Sequence, residues 1–455
     1  MPAGGTWTVQ NKVRPGAYIN FVSVPKSIGT LGERGTVAVA MPMSWGPVGK
    51  LIHLTGDELL NGASLAKVGT TAFDTEASLP YRVALAGCYN ALLYRSDTGG
   101  AKAEAELINT ILHVTAKYPG TFGNSISVAC VADKPKPGTF TVQVLVNGAV
   151  QETFTAKTNS ELANVDSTFV DFLAPAAQNL DLSAFANTAL SGGTNGEVDT
   201  DAEIMTAFFS SLDTEDFQCV AIYGSVAVLS DIKNKVEIWR EKRGKKVQAV
   251  VYGYAGADYE GIISVDQGFK TATETVDQNL FPVWVASMTA GAQVNESLTA
   301  RVVEGAVEII NPVLEDKIED ALKVGRFIIT YRQDGAVCVE KDINTLHTFT
   351  VDKNYAFSKN RVVRCLDEIG NTTALIFNRN YAGKVDNDSV GRNQYKTELI
   401  SMFDSLQGIR AIQNFEGASD IIVLPGEAVD AVVVDVTVQP VDSMEKLYMT
   451  VNVNA

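Results

Sequence analysis

The sequence is poor in the residues that most enzymes use for chemistry. Its three histidines, His53, His113 and His347, lie in separate parts of the chain, without the spacing typical of metal ligands. The cysteines are odd in number, scattered and without a CxxC motif; they are Cys88, Cys130, Cys219, Cys338 and Cys365. This pattern argues against a disulfide framework and a structural zinc site, and we expect each cysteine to be a small buried hydrophobic residue.

Common catalytic and ligand-binding motifs are missing as well. The stretch "GPVGKLI" at residues 46–52 lacks the glycine spacing and the hydroxyl residue of a phosphate-binding loop, and no GxSxG motif occurs. In "EVDTDAE", counted from Asp199, Ile204 occupies the sixth position of an EF-hand loop, where glycine is needed. An acidic first turn of a helix explains this stretch better. We therefore predict no catalytic residue, no cofactor and no metal.

Positive charge and long hydrophobic runs are also scarce. The formal net charge is -16, and such a surface repels phosphate backbones, so we expect no nucleic-acid partner. The longest apolar-leaning run, "CVAIYGSVAVL", is shorter than the roughly 20 residues of a membrane helix. The N-terminus lacks the charged and apolar segments of a secretion signal. We expect a protein that is made and soluble in a cytoplasm and does not insert into a membrane.

The residues that are present predict an α/β core. From Gly35 onward, short apolar runs alternate with helical patterns, which is typical of a mostly parallel sheet buried on both faces. The runs taken as strands are "TVAVAMP", "RVALAG", "ALLYR", "CVAIYG", "KKVQAVVYG", "NLFPVWVAS" and "GRFIITYR". The patterns taken as helices include "SVAVLSDIKNKVEIWREKRG" and "LTARVVEGAVEIINPVLEDKIEDALKVG".

Residues 96–195 interrupt this alternation and favour an all-β module. Its clearest element is a hairpin in "GTFTVQVLVNGAVQETFTA", in which Asn147-Gly148 suits a type I′ turn. Alternate apolar residues occupy the first strand and return in the second; they are Phe140, Val142, Val144, Val146, Val150 and Phe154. An all-β block between α/β strands is best explained as an inserted domain.

The last hundred residues change character again. "SKNRVVRCLDEI" places Val362, Val363, Leu366 and Ile369 on one helical face, and a second helix follows with Ser389 as its candidate N-cap. "AVVVDVTVQPVDSMEKLYMTVNV" predicts a final hairpin around a Pro-Val-Asp-Ser turn.

Together these patterns predict a multi-domain α/β protein. Its parts are a mostly parallel α/β core domain (residues 21–95 and 196–345), an inserted β-sandwich-like all-β domain (96–195), a C-terminal α+β domain (346–440), and extended arms at residues 1–20 and 441–455.

Both predicted arms carry a strand pattern. At the C-terminal end, Leu447, Met449, Val451 and Val453 alternate with Tyr448, Thr450 and Asn452, and nothing follows them to turn back and pair. At the N-terminal end, Thr6, Trp7, Thr8 and Val9 form a short β-prone segment before the break at Pro15-Gly16. Each arm has two possible fates: pairing within its own chain, or adding a strand to the sheet of a neighbouring copy.

Several stretches along the chain resemble a known family. They are "GGTWTVQNKVRPGAYINF", "GTVAVAMPMSWGPVGKLIHLT", "AKYPGTFGNSISV", "LSGGTNGEVDTDAE", "DNDSVGRNQYKTEL" and "MEKLYMTVNV". In this order they resemble the tail sheath proteins of contractile-tailed bacteriophages, of the kind found in phages and prophages of Gram-positive bacteria.

The resemblance implies a structural protein that is not an enzyme. Such subunits stack as six-fold rings in a helical sheath around a tail tube, and contraction drives the tube through the host envelope during genome delivery. The resemblance also implies that both arms join the C-terminal sheet of a neighbour. The implied partners are other copies of the chain, the tube protein, and baseplate and tail terminator proteins. The implied location is the virion tail, assembled in the bacterial cytoplasm.

The C-terminal domain of such a subunit faces the tube, so Arg392 and Lys396 are candidate tube contacts. Three alternatives remain at this point: the sheath of a phage-tail-like bacteriocin, an α/β enzyme with an inserted β domain, and a surface adhesin.

Overall fold

The computed structural model describes residues 34–108, 111–174, 179–198 and 201–453, and the backbone of residues 3–5 and 16–18. The strands in chain order are β1 (Ala3–Gly5), β2 (Gly16–Tyr18), β3 (Thr36–Met41), β4 (Leu51–Thr55), β5 (Asn90–Arg95), β6 (Asp97–Thr98), β7 (Glu104–Ile108), β8 (Leu112–Ala116), β9 (Ile126–Ala132), β10 (Phe140–Val146), β11 (Ala149–Ala156), β12 (Val170–Leu173), β13 (Phe185–Ala189), β14 (Glu197–Val198), β15 (Cys219–Ile222), β16 (Gln248–Tyr252), β17 (Ile262–Val265), β18 (Gly268–Thr271), β19 (Thr275–Val276), β20 (Ala306–Ile310), β21 (Ile329–Tyr331), β22 (Val337–Val339), β23 (Ile412–Gln413), β24 (Ile421–Pro425), β25 (Val432–Val436) and β26 (Gln439–Pro440).

The α-helices are α1 (Gly56–Asn61), α2 (Ser64–Val68), α3 (Leu79–Ala84), α4 (Asn159–Ala163), α5 (Ala202–Ser211), α6 (Leu229–Glu237), α7 (Phe281–Gly291), α8 (Ile318–Lys323), α9 (Asn360–Ile376), α10 (Ser389–Gly408) and α11 (Gly417–Asp420). Short 3-10 turns span Thr121–Ser125, Ala255–Ala257, Glu315–Lys317 and Tyr355–Ser358, and π turns extend α6 over Ile238–Lys242 and α9 over Phe377–Tyr381.

The chain divides into two compact units. One comprises Met1–Gly32 and Thr372–Gln439, and the other comprises Glu33–Asn371 and Pro440–Ala455. One boundary between them falls within helix α9.

The larger unit is built on a six-stranded sheet in the order β17-β16-β15-β3-β5-β4. All neighbouring strands are parallel except β4, which pairs antiparallel with β5 at one edge. One hydrophobic cluster packs α7 against one face, and a second packs α5 and α6 against the other. The strands therefore carry continuous apolar runs, and the prediction of a mostly parallel sheet buried on both faces is confirmed.

A second part of the larger unit lies between β5 and α5 in the chain; it was predicted to be all-β and keeps that name here, although it also contains the short helix α4. It contains a four-stranded sheet (β11-β10-β9-β13) and a three-stranded sheet (β12-β8-β7) that share one hydrophobic cluster. The chain enters this part through β6 and leaves it through β14, and these two short strands pair antiparallel. The predicted β10–β11 hairpin is confirmed, because Asn147 and Gly148 both have the positive φ of a type I′ turn (49° and 79°).

A buried ion pair holds the base of this all-β part. The Arg95 guanidinium donates to both carboxylate oxygens of Asp97, with an Nη2–Oδ2 distance of 2.6 Å, and both side chains are almost fully buried. Arg95 also donates to the carbonyl of Pro119, and Asp97 accepts the N–H of Met43. The charges are thereby paired and hydrogen-bonded, as buried charges need to be.

The smaller unit is α+β. Its helix α10 buries Tyr395, Leu399, Met402, Phe403 and Leu406, and the β24–β25 hairpin lies against it. In the same unit β1 pairs with β2 in parallel, with Ala3 opposite Gly16.

Three predictions of secondary structure are wrong. "RVALAG" and "NLFPVWVAS" were expected to be strands, but they contribute to helices α3 and α7, each with a proline at its first turn. Helix α7 is buried on all sides, so its sequence lacks the period that separates a helix from a buried strand. Conversely, the first part of "LTARVVEGAVEIINPVLEDKIEDALKVG" contains strand β20, and only Ile318–Lys323 is an α-helix.

The C-terminal region also departs from prediction in three details. Asp388, not Ser389, is the N-cap of α10, because its carboxylate accepts the N–H of Gly391. "AVVVDVTV" does not form a hairpin with the last stretch; β25 pairs antiparallel with β24. On α9, Val362 and Val363 are buried as expected, but Arg364, Asp367 and Glu368 are buried too.

Candidate assembly surfaces

The C-terminal stretch lies outside every helix and strand of the described residues. From Leu447 to Val453 its large apolar side chains are between 69% and 88% exposed; they are Leu447, Tyr448, Met449, Val451 and Val453. Soluble monomers rarely expose such a contiguous apolar run, and where one occurs it marks an interaction site. We call residues 447–453 the C-terminal arm.

A buried lysine holds the segment that leads into this arm. Lys359, which immediately precedes α9, has a side chain only 4% exposed, and its ammonium contacts the carboxylate of Glu445 and lies 3.4 Å from an oxygen of Asp442. Glu445 also accepts a hydrogen bond of 2.9 Å from the Thr299 hydroxyl. Burial raises the pKa of Glu445, but the ion pair with Lys359 and the hydrogen bond from Thr299 outweigh it, and the net shift is downward.

The β24–β25 hairpin is a second apolar surface. Ile421, Val423, Val434 and Val436 share one face and are buried or half-buried, whereas Ile422, Leu424 and Val433 on the other face are about half exposed. A two-stranded hairpin is marginal on its own in water, and no further strand among the described residues pairs with the outer edges of this one.

The candidate tube contacts lie on α10 and both make bonds within the smaller unit. Arg392 donates to the backbone carbonyl of Asn387 at 2.9 Å and to its side-chain oxygen at 2.8 Å. Lys396 donates to the carbonyl of Ala418 at 3.1 Å. Both residues lie on α10 and neither belongs to the C-terminal arm. Thr6, Trp7, Thr8 and Val9 of the N-terminal arm lie outside the described residues.

The three histidines are apart from one another, as the sequence indicates. Each lies within 4.0 Å of one carboxylate: His53 near Glu215 (3.9 Å), His113 near Glu104 (3.7 Å) and His347 near Asp258 (3.4 Å). No group of three or more metal-ligating side chains occurs within the described parts of the chain. In place of a calcium loop, Asp201 caps helix α5 by accepting the N–H groups of Glu203 and Ile204.

The five cysteines are buried and form no disulfide with one another, which confirms the prediction made for them. Burial raises the pKa of the Cys88 thiol to about 11 and that of Cys219 to about 12, so neither is a ready nucleophile. Among the described residues, no helix is long and apolar enough to cross a membrane.

An open cavity of about 500 Å³ lies in the smaller unit beside the β24–β25 turn. Its aromatic wall consists of Phe377 and Tyr381 on the π turn and Tyr395 on α10, with ring centroids of the two tyrosines 4.7 Å apart. Burial raises the pKa of both tyrosines, so their phenols remain protonated and cannot act as bases near neutral pH.

Sequence reasoning found the exposed arm but missed its attachment and the half-exposed hairpin face. Lys359 and Glu445 are far apart in the sequence, and a lysine next to a helix start carries no signal of burial. The exposed positions of β24 are apolar. A period-2 pattern identifies a solvent-facing side of a strand only when the residues on that side are polar, so the sequence of β24 carries no sign of this face.

Comparison with known proteins gives a consistent result. Three family descriptions match in order along the chain: the phage tail sheath protein beta-sandwich domain at residues 98–195, the central domain at 199–345, and the phage tail sheath C-terminal domain at 352–454. The phage-like element PBSX protein XkdK of Bacillus subtilis is 35% identical over 480 aligned residues, which cover 99% of this chain and 100% of the relative.

Solved structures agree with the sequence matches. The sheath tail protein of Desulfitobacterium hafniense is 35% identical with a TM-score of 0.78, covering 95% of this chain and 99% of that one. The anti-feeding prophage helical sheath in its contracted state is only 10% identical, with a TM-score of 0.53 over 97% and 99% of the two chains, and so shares the fold alone. The chain therefore belongs to the phage tail sheath protein family.

Proposed function

We propose that this sheath subunit polymerises into a six-fold helical tube around a tail tube, and that contraction of this sheath drives the tube through a host cell envelope to deliver a genome. Family membership and the fold shared with a contracted helical sheath support the proposal. The observation that carries it is the exposed apolar C-terminal arm, which pairs with no strand among the described residues of its own chain.

The proposed joint between subunits is strand addition. The arm alternates apolar and polar side chains over Leu447–Val453. Within the described parts of the chain, the β24–β25 hairpin pairs with no third strand, and the apolar side chains on one of its faces are about half exposed. A neighbour's arm that pairs with this hairpin would satisfy main-chain groups and cover apolar side chains in one step. The N-terminal segment Thr6, Trp7, Thr8 and Val9 is proposed to join a neighbouring sheet in the same way.

Head-to-tail donation of an arm suits a contractile tube. Such a contact is heterologous, so it closes into rings or continues as a helix rather than ending at a dimer. Strand pairing also tethers domains that rotate as rigid bodies, and the work comes from the packing free energy that separates two assembled states. No catalytic group is required for this task.

Contacts with the tail tube must break during contraction, so we propose that they are light and electrostatic. Arg392 and Lys396 are the candidates. Arg392 makes two bonds to Asn387 and Lys396 makes one to Ala418, so both side chains keep N–H donors for a partner. Further proposed partners are baseplate and tail terminator proteins, in a virion tail assembled in the bacterial cytoplasm. The fold likeness to a 6-fold symmetrised anti-feeding prophage baseplate, with a TM-score of 0.51 at 10% identity, is compatible with the baseplate partner.

A second candidate function is the sheath of a phage-tail-like particle that carries no genome. The observation that favours it is the similarity to a protein of a phage-like element, at 35% identity over nearly the whole chain. The mechanical role is the same in both cases, and capsid and packaging genes beside the coding gene would identify a phage.

The proposed joint is tested by a proline substitution in the arm. Thr450→Pro removes one backbone N–H and Thr450→Ala retains it, while both remove the same hydroxyl. At a concentration where the wild type forms hollow tubes by negative-stain electron microscopy, we expect T450A to form tubes and T450P to form few or none. Deletion of residues 447–455 should abolish tubes completely.

All three variants should retain the thermal unfolding midpoint of the wild type, because the arm beyond Lys446 makes little contact with its own core. Loss of folding in the truncated protein would show that the arm belongs to its own core. Tubes of normal length from the truncated protein would remove the arm from the joint.

A further inference from the structure

The segment that leads into the C-terminal arm lies along the larger unit as far as Glu445. Residues 441, 443 and 445 are partly buried, whereas residues 442, 444 and 446 are exposed, so one face of the segment lies against the unit. After Glu445 this alternation stops and every described residue is exposed. Glu445 is therefore the last point of attachment before the arm leaves.

The partner of Glu445 is held rigidly from several sides. The Lys359 N–H donates to the carbonyl of Ala356 at 3.1 Å, and its own carbonyl accepts the N–H of Val363 in the first turn of α9 at 3.0 Å. A β-bridge also joins Lys359 to Ile343. A side chain that is 4% exposed on a backbone fixed in this way has little freedom to follow a moving partner.

Hydrogen bonds extend this contact into the interior. The Thr299 hydroxyl donates to Glu445 and accepts the N–H of Asp342, each at 2.9 Å. The carboxylate of Asp342, itself 1% exposed, accepts hydrogen bonds from Asn360 at 2.9 Å and from the N–H of Leu298 at 3.0 Å. A network with this many shared partners fixes the orientation of Glu445 as well as its position.

We propose that Lys359 is a positioning residue that clamps Glu445 and Asp442 and thereby fixes where, and in which direction, the C-terminal arm leaves the subunit. This inference rests on the proposed function for its purpose. A short, oriented tether raises the effective concentration of the arm at a neighbour's hairpin, and a longer free tether lowers it. The clamp is a set of ion pairs, so removal of its carboxylates would leave the buried Lys359 ammonium without a charged partner.

Breaking the clamp should free the segment before the arm. If residues 440–444 became a flexible chain, its ends would spread over about 12 Å. Spin labels on Met444→Cys, at a fully exposed site between the clamped residues, and on Val307→Cys, at an exposed site of strand β20, report this spread as a distance distribution in unassembled protein. The native thiols are buried, and the protein without introduced cysteines measures the background labelling.

The decisive variant is Glu445→Lys, which places a like charge against Lys359. We expect the labelled parent to give a narrow distance distribution. In E445K the width of the distribution should increase to about 12 Å, and in the charge-exchanged pair K359E/E445K it should be narrow again. Lys446→Glu is the matched control, because it changes a charge by the same amount at the next, exposed residue. It should leave the distribution narrow.

An unchanged distribution in E445K would overturn the clamp. Should the exchanged pair fail to fold, Glu445→Gln replaces it as the second variant, with an intermediate broadening expected and an unchanged distribution counting against the clamp. In the assembly assay we expect the critical concentration of E445K to rise about 10-fold over that of K446E. Equal critical concentrations, despite a broadened distribution, would overturn the role of the clamp in assembly.

These outcomes are separate from those of the proposed function, because the distances are measured without tubes. A wild-type protein that forms no tubes, with a broadened distribution in E445K, leaves the clamp in place and rejects the sheath proposal.

Discussion

Two hairpins of this subunit are built alike and completed differently. In the all-β part, β10 and β11 belong to a four-stranded sheet, and the inward side chains Val142, Val144 and Val146 are almost fully buried in one cluster. In the smaller unit, β24 and β25 stand as a pair, with Leu424 and Val433 half exposed on the outer face. The first hairpin is completed by folding of the chain, and we infer that the second is completed by assembly.

The difference shows how to read an exposed apolar residue. Single exposed apolar side chains are common on any surface. A directly opposed pair such as Leu424 and Val433 on an uncovered hairpin, in a chain that also exposes the apolar C-terminal arm, is a different case. The surfaces proposed as donor and acceptor are thus both exposed on one subunit, as head-to-tail assembly requires.

The same charge placed in each of the two hairpins should have very different effects on stability and on assembly. Val144→Asp puts a carboxylate into the closed cluster, and we expect a loss of about 4 kcal/mol or more in the free energy of unfolding. Leu424→Asp places it on the uncovered face, where we expect a change within about 0.5 kcal/mol and a strong loss of tube formation. Chemical denaturation followed by circular dichroism measures the first quantity, and sedimentation measures the second.

Either of two results would contradict this contrast. If L424D destabilises the protein as much as V144D, the outer face of β24 is covered in the single subunit. If L424D instead assembles like the wild type, that face is not an assembly surface. Val351→Asp is a matched control, because Val351 is fully exposed and lies on a loop distant in sequence from both hairpins.

A second test concerns a cluster of charges in the larger unit, around Asp213, that should stabilise folding. Asp213 accepts a hydrogen bond from Trp239 and forms ion pairs with Arg243 at 2.6 Å and with Lys235 at 3.1 Å. Partial burial raises the pKa of Asp213, but these partners outweigh it and bring the pKa from 3.8 to about 2. The unfolded chain therefore binds a proton at higher pH than the folded one.

At pH values above 3.8 this depressed pKa contributes on the order of 1 kcal/mol to stability, because solvent screens the partly exposed ion pairs, and the contribution is lost as the pH falls from 3.8 to about 2. We expect Asp213→Asn to lower the free energy of unfolding by about this amount at pH 7 and by much less near pH 2. Asp386→Asn, at an exposed loop position, is the control and should cost little at either pH. A difference between D213N and the wild type that does not shrink in acid would show that the loss is one of packing.

The sequence predicts these completed parts well where the pattern is local. The β10–β11 hairpin follows from alternation and the Asn147-Gly148 turn, and helix α10 follows from its apolar period. Helix α7 and strand β20 could not be assigned, because a segment buried on all sides, or one mixed with charges, loses the period that separates helix from strand.

Long-range relations were beyond reach for a different reason. The pairing of β25 with β24, and of Lys359 with Glu445, depends on which segments meet in three dimensions, and neither leaves a pattern within a window of the sequence. The predicted domain limits, the N-terminal arm and the roles of Arg392 and Lys396 remain predictions. The arm residues Leu447–Val453 are exposed as a donor strand should be, and the experiments above decide whether they act as one.

The smallest expected effect is a chemical one that leaves stability unchanged. All five cysteines are buried, and burial raises the pKa of each thiol, to about 11 for Cys130 and about 12 for Cys365, so the reactive thiolate is scarce. We expect iodoacetamide to leave the folded protein unmodified near neutral pH and to modify five thiols after denaturation. Val451→Cys adds one thiol in the C-terminal arm, which should react at once in the unassembled subunit. The same thiol should become protected as tubes form, because the neighbour's hairpin then covers it, and unchanged reactivity in tubes would place the arm outside the joint.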